Sequence, residues 1–313
     1  MNTEARCATI AHHVATSSLA TWVAATLLAG LSLPALAATR NFSAQKPADP
    51  AGTVEVVNVE GVIEVSGWDQ AVVDVNGTIG DRVERVDVTS SANRTTVRVV
   101  LPAGSSWSGN SEAHLKIRVP QKSAVEVSLV SADLRVSGVS GNQQLQTVSG
   151  DITGDAGGDL QVNTVSGDVH LSAHNSHHAQ FKTISGDVSV SGTDGEFSLN
   201  TVSGDAMVTL GDLARAHLET VSGDISVVAG TLAAQGQLEA ASVSGDLQVK
   251  FATPPDAEID VQTFSGDINN CFGPKPTEEH YGPGSRLEFR SGKGGGRVHI
   301  DSKSGDVRLC AGK

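Results

Sequence analysis

The sequence predicts an all-β protein, a parallel β-solenoid (β-helix) with coils of ~19 residues and a less regular β region before them. Three observations predict it. The tripeptide Ser149-Gly150-Asp151 recurs with its aspartate at Asp168, Asp187, Asp205, Asp224, Asp246, Asp267 and Asp306, after a degenerate copy, Ser131-Ala132-Asp133. Successive aspartates are 18, 17, 19, 18, 19, 22, 21 and 39 residues apart, and repeats of about 20 residues signify stacking units. Apolar residues hold fixed offsets from each aspartate, alternating as half-buried strands do. Finally, hydrophobic residues make up 39% of the chain but aromatics only 4%, so the core is built from Val, Ile, Leu and Ala, residues that suit stacked strands.

Taken in order, the chain opens with an address. Leu19 to Leu33 form an apolar run ended by Pro34 and followed by Ala35-Leu36-Ala37. This is the h-region and cleavage site of a secretory signal peptide, too short to anchor in a bilayer. Residues 1–37 are therefore expected to be removed and the mature protein to be exported, periplasmic or extracellular, with no transmembrane segment. Residues 38–52 read as a flexible leader. Residues 53–130 alternate (TVEVVNV, GVIEVSG, AVVDVNG, TTVRVVLP, HLKIRVP) without the tripeptide. They are expected to form wider coils or an antiparallel β cap continuous with the array.

Residues 131–313 carry the repeat, with consensus Φ-x-Φ-x-T-Φ-S-G-D-Φ-x-Φ, where Φ is apolar. The residue after each aspartate is apolar in every copy, from Leu134 to Val307. Six before it stand Leu145, Val162, Phe181, Leu199, Leu218, Ala240, Val261 and Ile300. Three before it stand Val130, Val148, Val165, Ile184, Val202, Val221, Val243 and Phe264, then Lys303. Because six and three differ by an odd step, one straight strand would turn one of these columns to solvent. A corner between the two strands is expected to resolve the conflict, and Ser-Gly-Asp supplies it: Gly tolerates positive φ, and Asp and Ser bond nearby amides.

Stacked coils bring the aspartates into a column, where carboxylates ~4.8 Å apart repel by about 1 kcal/mol in a water-like dielectric. Each is expected to accept backbone N–H bonds at its own turn and stay solvated. Divalent cations along the column are the alternative; the nonapeptide calcium repeat is absent. Lys303, in an otherwise apolar column, is the charge expected on a terminal coil that resists edge-to-edge pairing. Residues 272–296, rich in Gly and Pro, read as a loop insertion with a short strand near Arg286–Arg290. Cys271 and Cys310 each lie four residues after their aspartate. If the insertion stays outside the stack they sit in adjacent coils, within the 4.4–6.8 Å Cα window of a disulfide; if it adds a coil they are about 9.6 Å apart and do not bond. The disulfide is the expectation.

Acids outnumber bases by 35 to 22, a net charge of −13, which disfavours nucleic acid and anionic membrane surfaces as partners. His170, His174, His177 and His178 crowd one coil as weak metal candidates, but only one coil has them and a solvated loop accounts for them. The repeated serines and evenly spread carboxylates do not form a catalytic pocket, GxSxG, P-loop and HExxH motifs do not occur, and aromatic sugar platforms are few. No cofactor and no enzymatic activity are expected.

The VSGDI and TVSGDV repeats, preceded by NVEGVIEVSGWD at 58–69 and LKIRVPQKSAVEVSLVSADLRVSG at 115–138, resemble the bacterial putative-adhesin family of unknown function. The resemblance implies a β-solenoid envelope protein without known catalytic residues. The expected function is a non-catalytic interaction scaffold meeting an envelope or cell-surface partner, protein or glycan. A carbohydrate-active lyase or hydrolase on a β-helix frame is the alternative.

Overall fold

The computed structural model describes residues 39–102, 109–174, 176–278 and 284–312; the signal-peptide run lies outside them. Twenty-two strands and no helix occur among these residues. The first seven are β1 (Arg40–Pro47), β2 (Thr53–Trp68), β3 (Val72–Ile79), β4 (Arg85–Ser91), β5 (Arg94–Val100), β6 (Ala113–Pro120) and β7 (Ala124–Val139). The middle of the array holds β8 (Gln143–Ser149), β9 (Ile152–Gly157), β10 (Leu160–Ser166), β11 (Val169–His174), β12 (His178–Ser185), β13 (Val188–Ser203), β14 (Ala206–Ser222), β15 (Ile225–Ser244) and β16 (Leu247–Phe251). The last six are β17 (Ala257–Ser265), β18 (Ile268–Asn270), β19 (Thr277–Glu278), β20 (Ser285–Ser291), β21 (Gly296–Ser304) and β22 (Val307–Ala311).

The fold is a parallel β-solenoid. From β7 to β16 each coil pairs in register with the next, so that Leu145, Val162, Phe181, Leu199, Leu218 and Ala240 form one interior column. Ile152, Val169, Val188, Ala206, Ile225 and Leu247 form another. Both columns are buried, each aliphatic side chain contributing about 1.5–3 kcal/mol by leaving water. Phe181 and Phe197 stack at 5.6 Å inside the core.

The two ends depart from chain order. At the N-terminal end β2 lies between two coils. One face of its neighbourhood is β7, which follows it in the stack; on the other side its halves pair in parallel with β5 and β6. The second coil in sequence is thus the outermost in space. Antiparallel strands close it: β4 on β5, and β3 on β6 with β1 beyond. Residues 40–47, read from sequence as flexible leader, are therefore the strand β1. The reading failed because this is an edge strand whose polar residues face solvent and in which only Phe42 and Ala44 alternate inward.

At the C-terminal end the last coil is inserted. β21 pairs with β15 on one side and β17 on the other, and β22 lies between β16 and β18. Spatial order is thus Asp246, Asp306, Asp267. β20 runs antiparallel along the outer edge of β17, covered in part by β19. Lys303 accordingly does not sit on a terminal coil, as its charge implied, but one coil in from the edge, bonded to Asp301 at 2.9 Å. Edge protection falls to the antiparallel β20.

Candidate interaction surface

The repeat's corner determines what each coil shows to solvent. The strand keeps its alternation up to the serine, so Thr164, Thr183, Thr201 and Thr220, four before their aspartates, point inward and are buried. The next residue necessarily points out. The corner lies at the glycine, not between the two apolar columns. Gly186 adopts φ +121°, and a Cβ there would stand 2.3 Å from the Gly167 carbonyl oxygen, so both backbone conformation and coil spacing require glycine. Several buried hydroxyls reach back to the turn: Thr183 Oγ1 donates to Ser185 O at 3.3 Å and Ser302 Oγ to Gly305 O at 3.4 Å. Threonine thus fills the inner corner with a methyl, and at Thr183, Thr201 and Thr263 with a hydrogen bond to the turn, whereas the hydroxyls of Thr147, Thr164 and Thr220 are buried without a partner among the described residues. Its recurrence was visible in the sequence, but the inward placement was not, since a polar residue in an alternating strand reads as outward.

The aspartates form an unbroken ladder. Asp151 N–H donates to Asp133 Oδ1 at 3.1 Å, and Asp168 N–H to Asp151 at 3.0 Å. Asp187, Asp205 and Asp224 follow at 2.9 Å each, then Asp246 at 2.8 Å. The ladder then follows space and not sequence: Asp306 N–H donates to Asp246 at 2.8 Å and Asp267 N–H to Asp306 at 2.9 Å. Each carboxylate before Asp267, the last rung, accepts from the next coil's amide, not from its own turn as the sequence reading held. A charge-assisted bond to the neighbouring coil offsets the repulsion between rungs.

The outward residue three before each aspartate is aliphatic, and these side chains form a second ladder on the surface. Val130, Val148, Val165, Ile184, Val202, Val221 and Val243 are 43–52% exposed. Lys303 follows in space, then Phe264, 63% exposed. On the same face, two and four residues earlier, lie polar columns. One contains Gln146, Asn163, Lys182, Asn200 and Glu219; the other Gln144, Gln161, Gln180, Ser198 and His217. Beyond them Asp159, His178, Glu196 and Arg215 place acidic and basic side chains alternately along the coil axis. His178 stands 3.4 Å from both Asp159 and Glu196, and Arg215 is 3.6 Å from Glu196. A groove of about 600 Å³ runs over these outer columns, floored in part by buried Gln143 and Phe197.

Of the histidines singled out in the sequence, His170 projects from β11, while His174 pairs with Asp155 at 3.7 Å and His178 with the groove carboxylates. The four are not brought to one point. Among the described residues no group of three or more His, Cys, Asp or Glu side chains is arranged to hold a metal ion. Cys271 and Cys310 lie side by side in adjacent coils with Cα atoms 4.8 Å apart and their Sγ atoms joined. The chain between them leaves the stack at Cys271, forms the edge strand β20, and returns on the inner side of β17. No helix among the described residues is long and apolar enough to cross a membrane.

Among solved structures the chain is similar to a putative lipid binding protein from Parabacteroides distasonis, at 14% identity and a TM-score of 0.42, covering 86% of this chain and 96% of that one. It is also similar to a putative adhesin from Bacteroides fragilis (10% identity, TM-score 0.36, coverage 87% and 97%). A putative cell adhesion protein from Clostridium sporogenes is a further likeness (11% identity, TM-score 0.29, coverage 87% and 100%). No curated protein matches the chain. The family model described as Toastrack DUF4097 matches residues 60–310, which takes in β3 to β21 and all of the aspartate ladder. The chain belongs to the Toastrack DUF4097 family.

Proposed function

We propose that the protein is a non-catalytic, exported envelope scaffold that holds a protein or glycan partner along the Gln144 to His217 column of its solenoid face and the groove beside it. The observation that carries this reading is the register of that face. The same kind of side chain, Gln144, Gln161 and Gln180 for example, repeats coil after coil beside the groove. A partner lying along the coils meets each contact several times, and weak contacts in series yield useful avidity. Amides supply both donors and acceptors, which suits the hydroxyls of a glycan or the backbone of an extended peptide. The carboxylates, in contrast, are spread along ladders and bonded to neighbouring coils, an arrangement suited to stacking and not to a paired acid and base. The signal-like segment before Ala38 agrees with an envelope location.

Fractionation and crosslinking in the native host tests the reading, together with binding of the purified protein to envelope material. The expected result is recovery with the envelope and reversible binding without turnover, weakened at least tenfold by Gln161→Ala with Gln180→Ala. Glycan turnover abolished by one carboxylate substitution would instead establish the enzymatic alternative.

A further inference from the structure

The aliphatic ladder calls for an explanation that the polar groove does not supply. Seven consecutive coils each place a valine or isoleucine outward at the same offset, from Val130 to Val243, although the neighbouring outward columns are polar except at Ala241. The fold does not require it. The inward threonine fixes the corner, and a serine or lysine would be as compatible with the strand at the outward position, as Lys303 demonstrates. Scattered surface valines need no explanation, but an unbroken row of them does.

We propose that this ladder is the surface through which two copies of the chain associate. A half-exposed aliphatic side chain presents roughly 50 Å², so seven present roughly 350 Å² of contiguous apolar surface, within the range of functional patches. The row is about 29 Å long at ~4.8 Å per coil. With the serine column on one side and the Gln146 to Glu219 column on the other, each copy offers roughly 600 Å², the lower bound of a specific interface. Spacing favours a second copy over an irregular partner: a second copy presents an equally long row at the same ~4.8 Å, so that knobs from one row fit between knobs of the other over all seven rungs. Lys303 ends the row before Phe264 and limits its growth along the coil axis. The polar groove begins four residues away along the strand, about 13 Å, so association leaves it open. The inference is thus separate from the function proposed above.

Sedimentation of the purified chain from 1 to 100 µM tests the proposal. The expected result is a dimer with dissociation in the micromolar range. Val165→Lys with Val202→Lys should weaken it at least tenfold while leaving the melting temperature within about 2 °C, since both positions face solvent. Independently, Ile184→Cys should give an interchain disulfide under mild oxidation, whereas a cysteine on the opposite sheet, Ser189→Cys, should not. A monomer at every concentration overturns the proposal, as does a dimer indifferent to the two lysines. A monomer whose lysine variant has lost envelope binding likewise overturns it, and assigns the ladder to the partner.

Discussion

At the scale of single residues, the corner glycine and the ladder aspartate do different work. Gly186 is required twice, by φ +121° and by the Gly167 carbonyl 2.3 Å from where a Cβ would stand. Gly186→Ala should therefore cost about 3 kcal/mol or more, measured by chemical denaturation. Asp187 acts as an acceptor for the Asp205 amide at 2.9 Å. Asp187→Ala should cost about 1 kcal/mol, whereas Asp187→Asn, which keeps the acceptor and removes a like charge, should be neutral or slightly stabilising. Melting temperatures of the two variants at low and high salt separate the effects, because salt screens only the repulsion. The sequence revealed the period, the glycine and the aspartate. It concealed the ladder's direction, because an Asp-to-amide bond between coils and one within a turn leave the same tripeptide. It also concealed which of two odd-spaced apolar columns faces water, since that depends on a threonine accepting a core position.

Among the elements, the informative ones are those that close the ends. Both termini of the array are held one coil in from the edge: β2 between β7 and the β5–β6 coil, β21 and β22 between β15–β16 and β17–β18. Fraying of the C-terminal coil must then break two interfaces instead of one, as must release of β2 on the N-terminal side, whereas the edge strand β1 has a single partner, β3. On the N-terminal side, Arg118 lies over Trp68, 4.3 Å from its ring, and pairs with buried Asp74 at 2.6 Å, joining β2, β3 and β6. On the C-terminal side, the Cys271–Cys310 pair ties the inserted coil to its neighbour. Reduction, or Cys310→Ser, should lower stability by roughly 4 kcal/mol in the chain-entropy account of a loop of this length, read by denaturation with and without reductant. A smaller clasp sits at the turn into β21. There the Asp256 carboxylate is held below the ordinary range by the Gly295 amide, against an opposing desolvation, with the Gly294 and Lys293 amides adding to the lowering. A lowered native value means that the clasp contributes fully above the unfolded pKa of about 3.9 and is lost as pH falls through the native value. Asp256→Asn should therefore narrow the difference in stability between pH 7 and pH 3, measured by thermal melts. The antiparallel cap, the strand near Arg286–Arg290 and the cysteine pair were legible in the sequence; the order of the coils was not. The end strands alternate like any others, and coil order depends on which edge a returning strand finds.

For the whole molecule, the solenoid class was legible because nine copies of one motif leave little alternative, and period is the property a sequence records best. Order in space is not periodic and was not recorded. Function inherits this division. The faces that the repeat builds, the amide columns and the aliphatic ladder, follow from offsets in the consensus once the threonine is placed inward. The alternation of acidic and basic side chains from Asp159 to Arg215 comes from positions outside the consensus and emerges only when the coils are stacked. All of these surfaces depend on coils in register, including the inserted one that carries the aspartate ladder from Asp246 through Asp306 to Asp267. Paired cysteines on the outer column after the aspartates measure that order directly: Gln248 stands opposite Arg308, and Arg308 opposite Asn269. Gln248→Cys with Arg308→Cys should crosslink readily on oxidation, as mapped by mass spectrometry, while Gln248→Cys with Asn269→Cys, two coils apart, should remain reduced. Crosslinking of the second pair and not the first would place the coils in simple chain order and contradict the ladder described here.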